Sequence, residues 1–190
     1  MIRIGILGDI GSGKSYLAKS FGYPVFNADL EVSKIYKKNK KVFLRLKKDL
    51  PKYFNIFPVK KENVIKAILA NNSNLSKIIK IVHKEVKKKL KIFLYKNKDK
   101  KIVILDVPLL LENKINKKKD ILIFVFSKKS DILKKLKKRR NFNQKLLTKF
   151  KNAQLRLDYK RKKSQFVVKN DFKKKTIKKY VKDILDNILK

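Results

Sequence analysis

Apolar residues are distributed along the chain in two patterns, short continuous runs and longer helical repeats. Continuous apolar runs predict buried strands, and they occupy residues 2–7, 23–29, 100–108, 120–126 and 165–170. The intervening sequence repeats apolar residues every three or four positions, which predicts amphipathic helices. The longest such repeat is Leu75, Ile78, Ile79, Val82, Val86 and Leu90. Strands that alternate with helices predict an α/β fold with a parallel sheet covered on both faces.

The spacing of these elements predicts one domain with an inserted helical part. A chain of 190 residues can bury one compact core. Residues 30–98 are helical and poor in strands, which predicts a helical subdomain between the second and third strands. No apolar run reaches membrane-spanning length, and the first residues lack a signal-peptide pattern. The absence of cysteine excludes disulfides and cysteine-based zinc sites, so we expect a cytoplasmic location.

The charge of the chain is strongly unbalanced, with 54 basic and 15 acidic residues and a net charge of +39. Such a charge attracts polyanions. However, most of the basic residues are lysines, whereas proteins that read nucleic acids rely on the forked contacts of arginine. The lysines are spread along the whole chain. We therefore interpret the charge as a compositional bias that fills exposed sites with lysine, and we expect no specific nucleic-acid partner.

Residues 8–15, GDIGSGKS, fit the pattern G-x-x-x-x-G-K-[ST] completely. In this pattern the backbone N–H groups bind phosphate oxygens, and the helix that follows adds its positive N-terminal end. Lys14 would reach the β- and γ-phosphates, and the hydroxyl of Ser15 would bind Mg²⁺. A glycine-rich turn that matches by chance is the alternative. The predicted strand before the loop and the helix after it favour a phosphate site.

Two aspartates follow predicted strands and are candidates for the chemistry of phosphoryl transfer. Asp29 ends the second run, where it could accept the proton of an attacking hydroxyl; a helix N-cap is the alternative. Asp106 lies in the third run directly after the string KIVIL, in the arrangement that holds Mg²⁺ through water. A strand-end cap is the alternative for Asp106.

The remaining sequence narrows the class of nucleotide-binding protein. A GTPase would need the string N-K-x-D, and the nearest strings, at residues 116–120 and 97–100, have the wrong spacing or ending. Motor proteins and large ring-forming ATPases are longer than this chain. A small kinase remains.

Four segments in order resemble the dephospho-CoA kinase family over nearly the whole chain. GILGDIGSGKSYLAKSFGYPVFNAD resembles the phosphate loop and D-A-D strand end of that family, and IIKIVHKEVKKKL resembles its H-P-x-V-R segment. IVILDVPLLLE is similar to its V-x-D-V-P-L-L-F-E string. KNAQLRLDYKRKKSQFVVKN matches its final motif, from glutamine through lysine to asparagine, with every spacing intact.

The resemblance implies transfer of the γ-phosphate of ATP to the ribose 3′-hydroxyl of dephospho-CoA, with Mg²⁺. It implies a P-loop NTPase fold with a five-stranded parallel sheet, a helical acceptor-binding subdomain and a lid. The expected core comprises residues 1–29, 99–130 and 164–190; the acceptor-binding insertion is 30–98 and the lid is 131–163. We expect a monomer that acts on a small molecule, without a membrane partner.

The resemblance also implies roles for individual residues. Asp29 falls on the proposed catalytic base and Arg139 on the lid arginine that meets the phosphates, although the adjacent Arg140 is equally plausible. The residues expected to bind the nucleotide are Gly8, Asp9, Ile10, Gly11, Ser12, Gly13, Lys14, Ser15, Tyr16 and Asn170, with Ser15 and Asp106 for the metal. Those expected to bind the acceptor are Asp29, Lys61, His83, Lys87, Pro108, Leu109, Leu110, Glu112, Gln154 and Lys160.

The chain departs from the family pattern at several of these positions. Asn27 replaces the first aspartate of D-A-D, and Asp9 replaces a glycine of the phosphate loop. The side chain of Asp9 is expected to point outward, because only its backbone must face the ligand. Lys61 and Lys87 replace arginines that grip the acceptor, which removes the forked geometry. The family's proline after the histidine is Lys84, and its alanine–aspartate pair near the end is Ser164-Gln165.

Three alternatives stay open at this point. His83, the only histidine, is flanked by Val82 and Val86 and could be a satisfied half-buried side chain. The string PLLLE could be a buried turn whose leucines fill the core. For the whole chain, the alternatives are another P-loop kinase that acts on a nucleoside or nucleotide, and a non-catalytic basic protein that binds nucleic acid.

Overall fold

The computed structural model describes residues 1–139 and 142–190, and these contain one five-stranded sheet whose strands are all parallel. The strand order is β2-β3-β1-β4-β5. The strands are β1 Ile2–Gly8, β2 Val25–Asn27, β3 Ile102–Asp106, β4 Ile121–Phe126 and β5 Phe166–Lys169. Each predicted apolar run therefore contains a strand, and the predicted five-stranded parallel sheet is confirmed.

Helices occupy most of the chain between the strands. They are α1 Lys14–Ser20, α2 Ala28–Lys38, α3 Lys40–Asp49, α4 Lys61–Ala70, α5 Asn72–Lys96, α6 Lys129–Lys137, α7 Gln144–Asn152, α8 Leu157–Lys162 and α9 Lys174–Ile188. None of the helices formed by the described residues combines the length and apolarity that a membrane crossing requires.

The chain forms two compact units. The first comprises Met1–Asn27, Asn97–Asn143 and Lys151–Lys190, and it contains the sheet. The second comprises Ala28–Lys96 and Gln144–Phe150, and it contains α2 to α5. Residues 30–96 of the segment predicted as an insertion lie in the second unit and residues 97–98 in the first, and the segment predicted as a lid is divided between the two.

The core of the first unit is built on the central strands. β3 is buried along its whole length, and β1 is buried from Arg3 to Gly8. This burial on both faces explains why these strands are continuous apolar runs instead of alternating patterns. Ile4 and Ile104 are fully buried in one cluster with Leu17 of α1 and Ile177 of α9.

The core of the second unit is built on α5, which packs against α2, α3 and α4. The predicted apolar face of α5 is buried at Leu75, Ile78, Val82, Val86 and Leu90. Ile81 joins this face in the structure, whereas Ile79 is only partly buried. A three-and-four spacing leaves such flanking positions ambiguous, because both lie beside the apolar stripe.

β2 is shorter than predicted, which changes the position of Asp29. The strand ends at Asn27, whose ladder partner is Asp106, and α2 begins at the next residue. Asp29 is therefore the second residue of α2, neither a strand end nor an N-cap. Asp29 and Glu31 both lie in the first turn of α2, where the positive end of the helix stabilises carboxylates.

A buried ion pair that the sequence did not predict joins the start of β1 to the residue before β4. The Arg3 guanidinium lies 2.9 Å from the Asp120 carboxylate, and the two side chains are 9% and 3% exposed. Arg3 also donates to the carbonyl of Ile115, and Asp120 accepts from the backbone N–H of Lys117. Burial raises the pKa of Asp120, although the bond from Lys117 and the charge of Arg3 oppose this shift.

Arg3→Met is expected to destabilise the protein by about 3–5 kcal/mol, because it leaves the Asp120 carboxylate buried without a cation. Urea unfolding followed by circular dichroism measures the change. The double variant R3M/D120N is expected to recover most of the loss, since asparagine still accepts from the N–H of Lys117 but carries no charge. If R3M alone unfolds at the wild-type urea concentration, the ion pair does not contribute as described.

Candidate active site

The loop between β1 and α1 has a backbone that requires glycine at both glycine positions of the G-x-x-x-x-G-K-[ST] pattern. Gly8 and Gly13 have φ angles of 144° and 94°, in the region that side chains disfavour. A Cβ atom at Gly8 would lie 2.5 Å from the carbonyl oxygen of Val125, and one at Gly13 would overlap the side-chain amide of Asn170. The glycines of the pattern therefore allow the loop to approach β4 and the end of β5 closely.

Two side chains that directly follow β4 and β5 hold this loop through one backbone carbonyl. The carbonyl oxygen of Ser12 accepts hydrogen bonds from Ser127 Oγ at 3.0 Å and from Asn170 Nδ2 at 2.8 Å. Asn170 also accepts from the backbone N–H of Phe172. Sequence reasoning missed Ser127, although a hydroxyl just after β4 lies at the edge where the loop must sit.

Lys14, the first residue of α1, is directed back over the loop. Its ammonium donates to the carbonyl oxygens of Asp9 at 2.7 Å and Gly8 at 3.2 Å. Ser15 and Tyr16 follow in the first turn of α1, and both are exposed. Because the first N–H groups of a helix have no partner within it, this turn presents donors and a positive end suited to phosphate. The hydroxyl of Ser12 is buried, with no hydrogen-bond partner among the described residues.

The side chain of Asp9 does not point outward, contrary to the prediction. It is 15% exposed, and its Oδ1 accepts from the backbone N–H of Ile10 at 2.7 Å. Its Oδ2 lies 3.6 Å from the ammonium of Lys151. The carboxylate is drawn in because it bonds a loop amide and pairs with a cation at the same time.

Asp106 lies at the carboxyl end of β3, as predicted, and is 3% exposed. Its Oδ2 accepts from Asn27 Nδ2 at 2.5 Å across the β2–β3 pair. Carboxylate and hydroxyl oxygens are the hard ligands that Mg²⁺ prefers. The donor set of Asp106 and Ser15 fits an ion that keeps its other ligands from water and phosphate.

The string PLLLE forms a series of turns after β3, and its residues lie in different environments. Leu110 is fully buried, and a Cβ atom at Gly5 would overlap its side chain. The structure thus places Leu110 in the core, in agreement with the alternative that a leucine of this string fills core. Pro108, Leu109 and Glu112 are partly exposed.

Glu112, Gln154 and Lys160, all predicted for acceptor binding, lie together in one network. Lys160 is completely buried, and its ammonium is 2.7 Å from Glu112 Oε1 and 3.4 Å from Gln154 Oε1. Glu112 Oε1 also accepts from the backbone N–H of Leu155. Glu112 Oε2 is buried without a hydrogen-bond partner among the described residues. The network ties the turns after β3 to the segment that enters α8.

The other residues predicted for the acceptor lie in the second unit. Lys61 is the first residue of α4 and is exposed. His83 and Lys87 lie one turn apart on α5, and His83 is half-buried. Its Nε2 has no hydrogen-bond partner among the described residues, so the structure does not show the satisfied histidine of the alternative interpretation. Burial lowers the pKa of His83, and the charge of Lys87 lowers it further.

Arg139, the predicted lid arginine, lies just after α6 and is exposed. Its carbonyl accepts from the backbone N–H of Phe142. Arg140, the alternative, lies outside the described residues.

The sequence of the chain is similar to those of a known enzyme family. A model of the family described as dephospho-CoA kinase matches residues 2–176. A dephospho-CoA kinase of Wolbachia pipientis is 33% identical over 190 residues, which cover 97% of each chain. A dephospho-CoA kinase of Bartonella henselae is 28% identical, with 98% of each chain covered.

Solved structures show the same fold. A crystal structure of a protein from Thermus thermophilus matches with a TM-score of 0.74 and 24% identity, covering 98% of this chain and 97% of that one. A shikimate kinase from Bacteroides thetaiotaomicron matches with a TM-score of 0.55 and 12% identity, covering 100% and 99%. These likenesses confirm the predicted P-loop kinase fold.

Lys160→Met is expected to destabilise the protein by about 3–5 kcal/mol, because the carboxylate of Glu112, only 12% exposed, loses its cation. Denaturant unfolding measures the change. K160M/E112Q is expected to recover much of the loss, since glutamine still accepts from the N–H of Leu155. Lys162, an exposed residue of the same helix, provides the matched control K162M, for which no change is expected. Equal stability of K160M and K162M would contradict the role of the network.

Proposed function

The chain belongs to the dephospho-CoA kinase family, and from this premise we propose that it transfers the γ-phosphate of ATP to the ribose 3′-hydroxyl of dephospho-CoA. The products are coenzyme A and ADP. The observation that carries the proposal is the complete phosphate loop between β1 and α1, with its backbone fixed through the carbonyl of Ser12. A loop of this kind binds the phosphate donor. Membership of the family indicates that the acceptor is dephospho-CoA.

Lys14 and the loop amides hold the phosphates of ATP. The ammonium of Lys14 exchanges its bonds to the carbonyls of Gly8 and Asp9 for bonds to the β- and γ-phosphates. This exchange costs little, because the loop carbonyls can bind water while the lysine is engaged. Tyr16 and Asn170 lie beside this loop on α1 and after β5, and they line the same nucleotide site.

The metal ligands of the protein are the Ser15 hydroxyl and, through water, the Asp106 carboxylate. When bound, Mg²⁺ neutralises charge that develops on the transferred phosphoryl group. Asn27 fixes the orientation of Asp106 through the bond across β2 and β3.

Asp29 accepts the proton of the 3′-hydroxyl as its oxygen attacks the γ-phosphorus. The new O–P bond forms while the bond between the γ-phosphorus and the β–γ bridging oxygen breaks, and ADP leaves with that electron pair. The position of Asp29 supports this role, since it follows Asn27 by two residues where the chain leaves the sheet edge. The first turn of α2 also places its carboxylate near the positive end of the helix.

The remaining residues bind the acceptor and close the site. Lys61, His83 and Lys87 contact dephospho-CoA from residues 30–98, while Pro108 and Leu109 form a wall held by Glu112, Gln154 and Lys160. Arg139 in the lid, residues 131–163, neutralises charge in the transition state. Closure of the lid excludes water and limits hydrolysis of ATP. We further propose that the protein is a cytoplasmic monomer whose exposed lysines have no polynucleotide partner.

The test of this function is an assay of ADP release with three classes of acceptor: dephospho-CoA, nucleosides and nucleoside monophosphates. Release that depends on dephospho-CoA is expected, and K14M should abolish it. Release with a nucleoside or monophosphate instead would assign another kinase activity. Salt-sensitive binding of polynucleotides without any ADP release would assign the non-catalytic alternative.

Asp29→Asn is expected to lower kcat by about 10²–10⁴-fold, the usual contribution of a general base, while ATP affinity stays near the wild-type value. Steady-state kinetics and calorimetric ATP titration measure the two quantities. Glu31→Gln is the matched control, because Glu31 lies in the same helical turn and forms its ion pair with the exposed Lys34. Wild-type turnover in D29N would reject Asp29 as the base.

A further inference from the structure

The residue that distinguishes this phosphate loop from the family pattern, Asp9, contacts two lysines. Its backbone carbonyl accepts from Lys14 Nζ at 2.7 Å, and its carboxylate lies 3.6 Å from Lys151 Nζ. Lys151 is the second-last residue of α7, far along the chain from the loop. Two ammonium groups therefore converge on the first residue after Gly8.

A carboxylate at this position opposes the binding of a triphosphate, because both are anionic. The carboxylate of Asp9 is only 15% exposed, so water screens it poorly. Lys151 cancels this charge. Without Lys151, the carboxylate of Asp9 would repel the phosphates that the loop amides and Lys14 attract.

The geometry of the pair indicates that Lys151 does more than neutralise Asp9. The distance of 3.6 Å exceeds the 2.7–2.9 Å of a charge-assisted hydrogen bond, and the lysine side chain is 44% exposed. Asp9 Oδ1 is already occupied by the N–H of Ile10. An ammonium has three donors, so Lys151 can bind phosphate oxygens without first breaking a tight bond.

We propose that Lys151 is a second phosphate-binding lysine, held against the phosphate loop by Asp9 and bound to the terminal phosphates of ATP when the nucleotide is present. The proposal deepens the kinase function and rests on it. Asp9 acts as a positioning residue, since it keeps the flexible lysine beside the loop before ATP arrives and so reduces the entropy lost on binding.

The test is a double-mutant cycle in which calorimetry measures ATP affinity at fixed ionic strength for the wild type, D9N, K151M and D9N/K151M. Asparagine at residue 9 can still accept from the N–H of Ile10, so the loop backbone is preserved. K151M is expected to weaken ATP binding about tenfold in both backgrounds. The loss should be much smaller for AMP, which lacks the terminal phosphates, and K151R should bind ATP as the wild type does.

If Lys151 only neutralises Asp9, K151M will weaken ATP binding in the native background and have no effect in D9N; that result overturns the proposal. Lys145, an exposed lysine of the same helix, gives the matched control K145M, which should leave ATP affinity unchanged. An equal loss in K145M would also overturn the proposal, because it would reflect net charge alone. Failure of the wild type to bind ATP, or unchanged binding in K14M, would refute the kinase function itself.

Discussion

The two hydrogen bonds to the carbonyl of Ser12 are the constraint on which the site depends. A loop with three glycines in the six residues 8–13 loses more conformational entropy on ordering than other segments do. The donors, Ser127 and Asn170, follow β4 and β5 directly, 115 and 158 residues from Ser12 along the chain. Because the strands are parallel, their carboxyl ends share one edge, and the order β1-β4-β5 brings both donors to the loop. The conformation of this glycine-rich loop is therefore fixed by hydrogen bonds from residues that the sheet topology brings to it.

The scarcity of acidic residues shapes the rest of the molecule. With 54 basic and 15 acidic side chains, at least 39 cations cannot have an acidic partner of their own. Burying a cation is tolerated only when it is paired. Among the residues that the structure describes, the buried basic residues are Arg3 and Lys160, and each contacts a carboxylate within 3 Å. The exposed lysines remain hydrated. A large number of lysines can therefore be accommodated on the surface without any change in the core.

The sequence was sufficient to predict the strands, the parallel sheet and the phosphate loop, because each leaves a local pattern. Burial on both faces produces apolar runs such as that of β3, and positive φ angles demand the glycines at residues 8 and 13. The sequence was not sufficient to predict features that depend on contacts between residues far apart along the chain. The inward side chain of Asp9 depends on Lys151, and the donor role of Ser127 depends on the strand order. A lysine in a chain this basic gives no sign that it is buried, so the sequence did not predict the buried position of Lys160, which the family resemblance assigned to acceptor binding.

The replacement at residue 27 shows how a departure from the family pattern can preserve the site. The family resemblance places an aspartate there, and β2 pairs Asn27 directly with Asp106. Two carboxylates in that contact would repel each other or share a proton. Asparagine instead donates an N–H to Asp106 Oδ2, so the two side chains are joined by a hydrogen bond. The hydrogen bond fixes the orientation of the Asp106 carboxylate at the end of β3, where we propose that it holds Mg²⁺ through water. Asp29, two residues after Asn27 in α2, is the residue that we propose as the general base.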